Sequence, residues 1–157
     1  MKRKIFIILA LAVMILIFRF SMQDSSESSG VSSKFTDFIL NKFVRDLSAD
    51  EKKNFLETAE YIIRKLAHFS IYTVLGFCMS SAVGKRHFIT SGNVITVFIG
   101  FFYACSDELH QYFVSGRSCR FTDVIIDTSG VITGITISVL LFRIYDWFKK
   151  KFMHSPS

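Results

Sequence analysis

The chain has 157 residues, the length of one domain, and half of its residues are apolar, with 18 Phe and one Pro. This balance is typical of a protein that is partly embedded in lipid, and it argues against a water-soluble fold of this size. The formal charge of +6 comes largely from clusters that flank apolar runs rather than from a basic face, so we expect no nucleic-acid partner.

Four apolar runs predict an all-α integral membrane four-helix bundle that forms a single domain over residues 1–157. A membrane span needs about 20 residues to cross a hydrocarbon core of about 30 Å. The third run is short unless its helix continues through the sequence SDELHQ. The first run could be a cleaved signal peptide, but FRFSMQ offers no small-x-small cleavage site, which favours a retained helix. The predicted spans are residues 5–22, 64–83, 93–111 and 123–145, with an outer loop over 23–63.

Basic residues predict how the chain is oriented. If the N-terminus is inside, the inner segments hold nearly all the basic clusters, whereas the long loop of mixed charge lies outside. The positive-inside rule therefore places both termini in the cytoplasm. The clusters counted as inner are Lys2–Lys4, Lys85, Arg86 and Lys149–Lys151.

The outer loop carries two helical patterns. Aromatic residues share one face of the segment from Phe35 to Phe43, which predicts an additional amphipathic helix in the headgroup plane. Ser48 and Glu51 have the spacing of a capping box, which predicts the start of a helix that runs into the second span. Cys105 and Cys119 bracket the next polar loop, and the sequence leaves open whether they pair.

The unusual polar residues fall at the outer end of each predicted span. An ionised group in a span costs about 2.5–3.5 kcal/mol, so these side chains must face each other or a hydrated cavity. We therefore predict a polar pocket at the outer surface. The pair Gly130 and Gly134 follows in the fourth span and predicts close approach of a neighbouring backbone. The predicted pocket residues are Ser21, Gln23, Lys65, His68, Asp107, Glu108, His110, Gln111, Arg117, Asp123 and Asp127.

Several interpretations of this pocket remain open. It could be a structural network of ion pairs that binds nothing. It could bind a metal through His68, His110, Asp107 and Glu108, but the nearby Lys65 and Arg117 would repel a divalent cation, so we predict no metal. It could catalyse acid–base chemistry on an anionic substrate, or recognise such a ligand without chemistry. No Ser or Cys nucleophile motif is present, which disfavours a covalent mechanism.

We assign hypothetical roles for the two interpretations in which the pocket acts on an anionic substrate or binds an anionic ligand. The expected catalytic set is His110 and His68, with Asp107 and Glu108 positioning His110. Lys65 and Arg117 would hold the anion, because a guanidinium matches the oxygens of a phosphate. The remaining predicted ligand-binding residues are Gln111, Ser21, Gln23 and Asp123. The sequence identifies no cofactor, no oligomeric state and no reaction.

Three motifs in order give the chain a family resemblance. SMQDSS, RKLAHFSIYTVLGF and SDELHQYFVSGRS followed by TDVIIDTSGVITG resemble the VanZ-like family of small bacterial membrane proteins. The resemblance implies a multi-pass protein of the bacterial plasma membrane, with a role in cell-envelope physiology or tolerance of the glycopeptide teicoplanin. The implied partner is a membrane lipid or a lipid-linked wall precursor. The alternative is a non-enzymatic structural or regulatory membrane protein whose charges satisfy one another.

Overall fold

A computed structural model describes residues 2–22, 48–84, 87–115, 117 and 119–153. These residues form four helices and no strand: α1 (Lys2–Ser21), α2 (Ala49–Val83), α3 (Ser91–Tyr112) and α4 (Phe121–Met153). The all-α prediction is therefore confirmed. The amphipathic helix predicted over residues 35–43 and the predicted site residue Gln23 lie outside the described residues.

Three of these helices are long and apolar enough to cross a membrane, namely segments Arg3–Ser21, Asp50–Val83 and Phe121–Phe152. Helix α3 has 22 residues, which gives it a length of about 33 Å at 1.5 Å per residue. Its length is sufficient for a span, but Asn93 and the SDELHQ sequence make its ends polar. The assignment of α3 as a fourth span stays a prediction.

Helix α2 is longer than a bilayer requires. Its 35 residues extend over about 52 Å, so one end projects beyond a hydrocarbon core of about 30 Å. The first turn contains the predicted capping box, which is confirmed. The backbone N–H of Ser48 donates to the Glu51 carboxylate at 3.0 Å, and the Glu51 N–H donates to Ser48 Oγ at 3.4 Å.

Contacts between helices define their directions. Helices α2 and α4 run parallel, because Lys65 pairs with Asp123 while Ser81 and Ser138 lie 2.9 Å apart near the other end. Helices α1 and α3 also run parallel to each other, since successive contacts advance along both chains. The end of α1, the end of α3 and the start of α4 therefore meet the Lys65 region of α2. We call this the site end of the bundle.

Glycines let the backbones of α2 and α4 touch. A Cβ atom at Gly130 would lie 2.6 Å from the carbonyl oxygen of Phe69, and one at Gly134 would collide with the Thr73 carbonyl. Gly76 makes the reciprocal approach from α2 to the backbone of α4. The close approach predicted from the GxxxG pair is confirmed, and this contact holds the two helices in a fixed register.

The core and the outer surface of the bundle are both apolar. Tyr72, Leu75, Val131 and Ile135 are among the buried core residues, while many apolar side chains on the other faces of the helices are exposed. Ile8 of α1, for example, is 65% exposed. Exposed apolar surface on this scale is expected where the solvent is lipid.

The connection between α2 and α3 closes the opposite end of the bundle. Helix α2 ends at Gly84, whose φ of 68° lies in the left-handed region that favours glycine. The buried Asn93 amide donates to the carbonyl oxygens of His87 and Phe88 at 3.0 and 3.2 Å, and its oxygen accepts from Ser80. These bonds satisfy the buried side chain of Asn93, which gives it a structural role.

Candidate functional site

The first part of the site joins α1 to α3. The Ser21 hydroxyl donates to Asp107 Oδ1 at 2.5 Å, and the Gln111 amide donates to Asp107 Oδ2 at 3.1 Å and to Ser21 at 3.3 Å. All three residues are buried. Because Asp107 and Gln111 are one helical turn apart, they share the face that meets the last residue of α1. The structure thus brings these three predicted residues together, while their predicted role in binding a ligand stays a prediction.

The second part of the site joins α2 to α4. Lys65 forms an ion pair with Asp123, and one turn further along both helices His68 Nδ1 lies 3.7 Å from Asp127 Oδ1. Parallel helices in fixed register produce this repetition, since one turn of α2 matches one turn of α4. The side chains of Lys65 and His68 are 21% and 26% exposed, whereas that of Asp127 is fully buried. In each pair the carboxylate is more buried than its basic partner, and we call the level of Asp127 the floor of the site and the level of Lys65 its rim.

The floor contains a carboxylate–imidazole cluster, which we define as His68, Asp107 and Asp127. One nitrogen or oxygen atom from each lies within 4.8 Å of the others, and each residue comes from a different helix. Tyr72 is fully buried and lies close enough to Asp107 and Asp127 to interact with both charges. Both Asp127 oxygens, the Tyr72 hydroxyl and His68 Nδ1 have no hydrogen-bond partner among the described residues.

Two predicted residues of α3 have other neighbours than expected. Glu108 is buried and accepts a hydrogen bond from the backbone N–H of Arg120 at 3.0 Å, which fixes the α3–α4 connection. The His110 ring stacks on Phe18 of α1 at a centroid distance of 4.8 Å. His110 Nε2 is buried and has no hydrogen-bond partner in the described part of the chain. The positioning of His110 by Asp107 and Glu108 stays a prediction, while the imidazole beside carboxylates is that of His68.

The loop between α3 and α4 brings a cation to the rim. Arg117 is half-buried, and its charge lies close enough to interact with His68. The two cysteines that bracket this region are both free, Cys105 half-buried and Cys119 exposed.

An apolar groove of about 440 Å³ lies between α1 and α3. It is lined by Met14 of α1 and by residues of α3 that include Ile95, Phe98, Phe102 and Ser106. Ser106, at one end of this lining, directly precedes the buried Asp107 in the chain.

The chain was compared with known proteins. The profile of the family described as VanZ/LLP1 matches residues 6–143. The chain belongs to this family. The match covers the interhelical contacts of the site from Ser21 to Asp127. No curated protein and no solved structure shows significant similarity to the chain.

In this VanZ/LLP1 family member, two residues without a predicted role, Asp127 and Tyr72, lie at the floor of the site. We expected Asp127 in the pocket but gave it no role, and we did not assign Tyr72. The spacing contains a signal for Asp127, because Lys65 and His68 are three residues apart and Asp123 and Asp127 are four apart. That spacing places two pairs in contact only if the helices run parallel in this register, which the sequence does not specify.

The assembled groups can perform two kinds of chemistry. Carboxylates and an imidazole can hold a cation or move protons, and the cations at the rim can hold an anion. The acidic floor and the basic rim are adjacent, so a ligand at the rim would be in reach of both.

Proposed function

We propose that this membrane protein binds or acts on an anionic envelope lipid or lipid-linked wall precursor at the site end, and thereby contributes to glycopeptide tolerance. One observation carries the proposal: ionisable side chains from α2, α3 and α4 and a serine from α1 meet at one end of an apolar bundle. Ionisable groups within membrane helices are costly, and they mark functional sites more often than structural ones.

The unsatisfied atoms of the floor favour a functional site over a purely structural network. A network that evolved only for stability would pair its buried oxygens, because an unpaired buried polar group costs about 1–3 kcal/mol. Lys65 and Asp123 fit the structural description, since they satisfy each other. Asp127 fits it less well, because its fully buried carboxylate has the longer 3.7 Å ion pair with His68 and neither oxygen accepts a hydrogen bond from the described residues.

The rim provides the chemistry for a phosphate or similar anion. The guanidinium of Arg117 presents several donors in a planar fork, and the His68 imidazole lies near it. The apolar groove between α1 and α3 supports a lipid over a soluble anion, because its lining would accept a hydrocarbon chain.

The proposal requires the site end to face outward. Arg3, Lys4 and Lys149–Lys151 lie at the opposite end, as the positive-inside rule requires for a cytoplasmic face. A membrane-impermeant maleimide applied to intact cells should therefore label the exposed Cys119. His87→Cys in a Cys119→Ser background, at the opposite end, should react only after permeabilisation. The reverse pattern would contradict the orientation.

Lipid binding can be tested on the purified protein. We expect mass spectrometry of copurifying lipids to find an anionic species enriched with the wild type and depleted at least fivefold with Arg117→Ala. Arg143→Ala is the matched control, because Arg143 is an exposed arginine of α4 remote from the site end. The same lipid profile in all three proteins would contradict the proposed ligand.

The physiological part of the proposal needs a cellular assay. Alanine variants of Asp107, His110 and Arg117 should lose teicoplanin tolerance while remaining in the membrane at the wild-type level. If all three variants keep full tolerance, the functional interpretation of the pocket is wrong. If the proteins disappear from the membrane instead, the alternative of a structural charge network is favoured.

A further inference from the structure

We propose that the carboxylate–imidazole cluster binds one divalent transition-metal ion, of the Zn²⁺ or Mn²⁺ class. The ligands would be His68 from α2, Asp107 from α3 and Asp127 from α4. The inference rests on the proposed function only in that the ion would face the anion bound at the rim, and the ion can be tested without any lipid.

The geometry of the cluster suits a single ion. Its three potential ligand atoms lie within 4.8 Å of one another. A central cation at the usual Zn–N and Zn–O distances of about 2.0–2.2 Å could contact all three after small side-chain adjustments. Three protein ligands leave a coordination position for water or a ligand oxygen, which is the pattern of catalytic rather than structural zinc sites.

A second observation points to a bound cation. Asp127 is fully buried, and its only described polar contact is the 3.7 Å ion pair with His68; neither its oxygens nor His68 Nδ1 form a hydrogen bond among the described residues. The hydroxyl of the fully buried Tyr72, near the same two carboxylates, also has no hydrogen-bond partner among the described residues. A cation between Asp107 and Asp127 would satisfy the free lone pairs. It would also balance the two negative charges where lipid and core side chains cannot solvate them.

The neighbours of the cluster resemble the supporting shell of a metal site. Ser21 and Gln111 each donate to Asp107, one to each oxygen, and so fix the orientation of that carboxylate. Carboxylate ligands are commonly held in this way, because hydrogen bonds from outer residues set the ligand direction. Each oxygen retains a lone pair that could bind the ion.

The sequence argued against a metal because Lys65 and Arg117 would repel it. In the structure, the Lys65 ammonium is paired with Asp123, which offsets its charge. Arg117 belongs to the half-buried rim, whereas Asp107 and Asp127 form the buried floor. The repulsion that these two cations would exert on a bound metal is therefore weaker than the sequence suggests. A rim cation beside a bound metal suits a ligand that carries an anionic phosphate.

The ligand set also indicates the class of ion. One imidazole and two carboxylates match Zn²⁺ and Mn²⁺, which accept mixed nitrogen and oxygen donors. Ca²⁺ prefers six to eight oxygen ligands, which this cluster does not supply. A soft ion such as Cu(I) would prefer thiolate, and no cysteine belongs to the cluster.

The test uses the full chain, purified in detergent and stripped with EDTA. We expect calorimetry to show that the wild type binds about one Zn²⁺ per chain. Added Zn²⁺ should raise the melting temperature of the protein, and Co²⁺ bound in place of Zn²⁺ should show the visible absorption of an inner-sphere complex. His68→Ala and Asp127→Ala should weaken binding at least tenfold and abolish the Co²⁺ spectrum. His87→Ala is the matched control, because it removes an exposed imidazole at the opposite end and should bind like the wild type.

Two results would overturn the metal site. One is a stripped wild type that binds no Zn²⁺, Mn²⁺ or Co²⁺, and this result does not depend on whether any variant folds. The other is folded His68→Ala or Asp127→Ala protein that binds as tightly as the wild type. Lipid copurification from the stripped protein separates the two proposals. If Arg117-dependent lipid persists without any ion binding, only the metal inference fails, whereas ion binding without lipid contradicts only the proposed function.

Discussion

Gly134→Ala should separate α2 from α4 and weaken the site without touching a charged residue. A Cβ at this position would lie 2.5 Å from the amide nitrogen of Phe77, about 0.9 Å short of the 3.4 Å where ordinary contact begins, and closer still to the Thr73 carbonyl. Both neighbours are backbone atoms that cannot rotate away, so the helices must move apart by at least that amount. The 3.7 Å separation of His68 and Asp127, which joins the same two helices, would increase with it.

The expected loss of stability is about 1–3 kcal/mol, the usual cost of overpacking. For a chain of this size that loss corresponds to a fall in melting temperature of roughly 2–12 °C. Thermal unfolding of the purified protein in detergent measures it. Gly92→Ala is the comparison variant, because the three atoms nearest to its Cβ belong to the side chain of Val83 rather than to backbone. A Gly134→Ala protein that melts with the comparison variant would show that backbone contact between α2 and α4 is not what holds the bundle together.

Three further predictions concern single interactions. Ser21→Ala removes a donor from the buried Asp107 carboxylate, and should lower the free energy of unfolding by about 1.5–3 kcal/mol; an unchanged denaturation midpoint would contradict a role for this bond. In a double-mutant cycle, Lys65→Met and Asp123→Asn should show a coupling of about 0.5–3 kcal/mol, since the partly buried pair joins α2 to α4; additive effects would mean that the ion pair contributes no net stability. Ser48→Ala should lower the stability of the start of α2 by about 0.5–2 kcal/mol, because it removes the helix cap. Faster hydrogen exchange confined to the first turn of α2 would confirm this effect, and unchanged exchange there would refute it.

Much of the fold could be predicted from the sequence because the relevant signals are local. Apolar runs, a capping box and a GxxxG pair each depend on residues close together in the chain, and α2 indeed begins at the Ser48–Glu51 box. The general location of the site could also be predicted, because lipid penalises scattered charges. This reasoning grouped Ser21 with Asp107 and Gln111, as the structure does.

The roles of individual site residues could not be predicted in the same way. His68 and His110 are equally good candidates by sequence, since each lies on a helix next to other polar residues. The rotation of α3 about its own axis determines which groups surround His110. In the structure the His110 ring stacks on Phe18, while Asp107 faces the floor. That rotation results from packing of whole helices. It depends on many distant apolar contacts that no short motif encodes.

The glycine contact and the polar floor are best understood as one unit. Gly130 packs on the carbonyl of Phe69, the residue after His68, and lies one turn beyond Asp127. Direct backbone contact at this point leaves little freedom for the two helices to slide or separate, so His68 and Asp127 are held in register. Such support keeps the buried Asp127 carboxylate beside His68 and limits the entry of water. The sequence thus places a backbone contact between α2 and α4 about one turn from the His68–Asp127 pair.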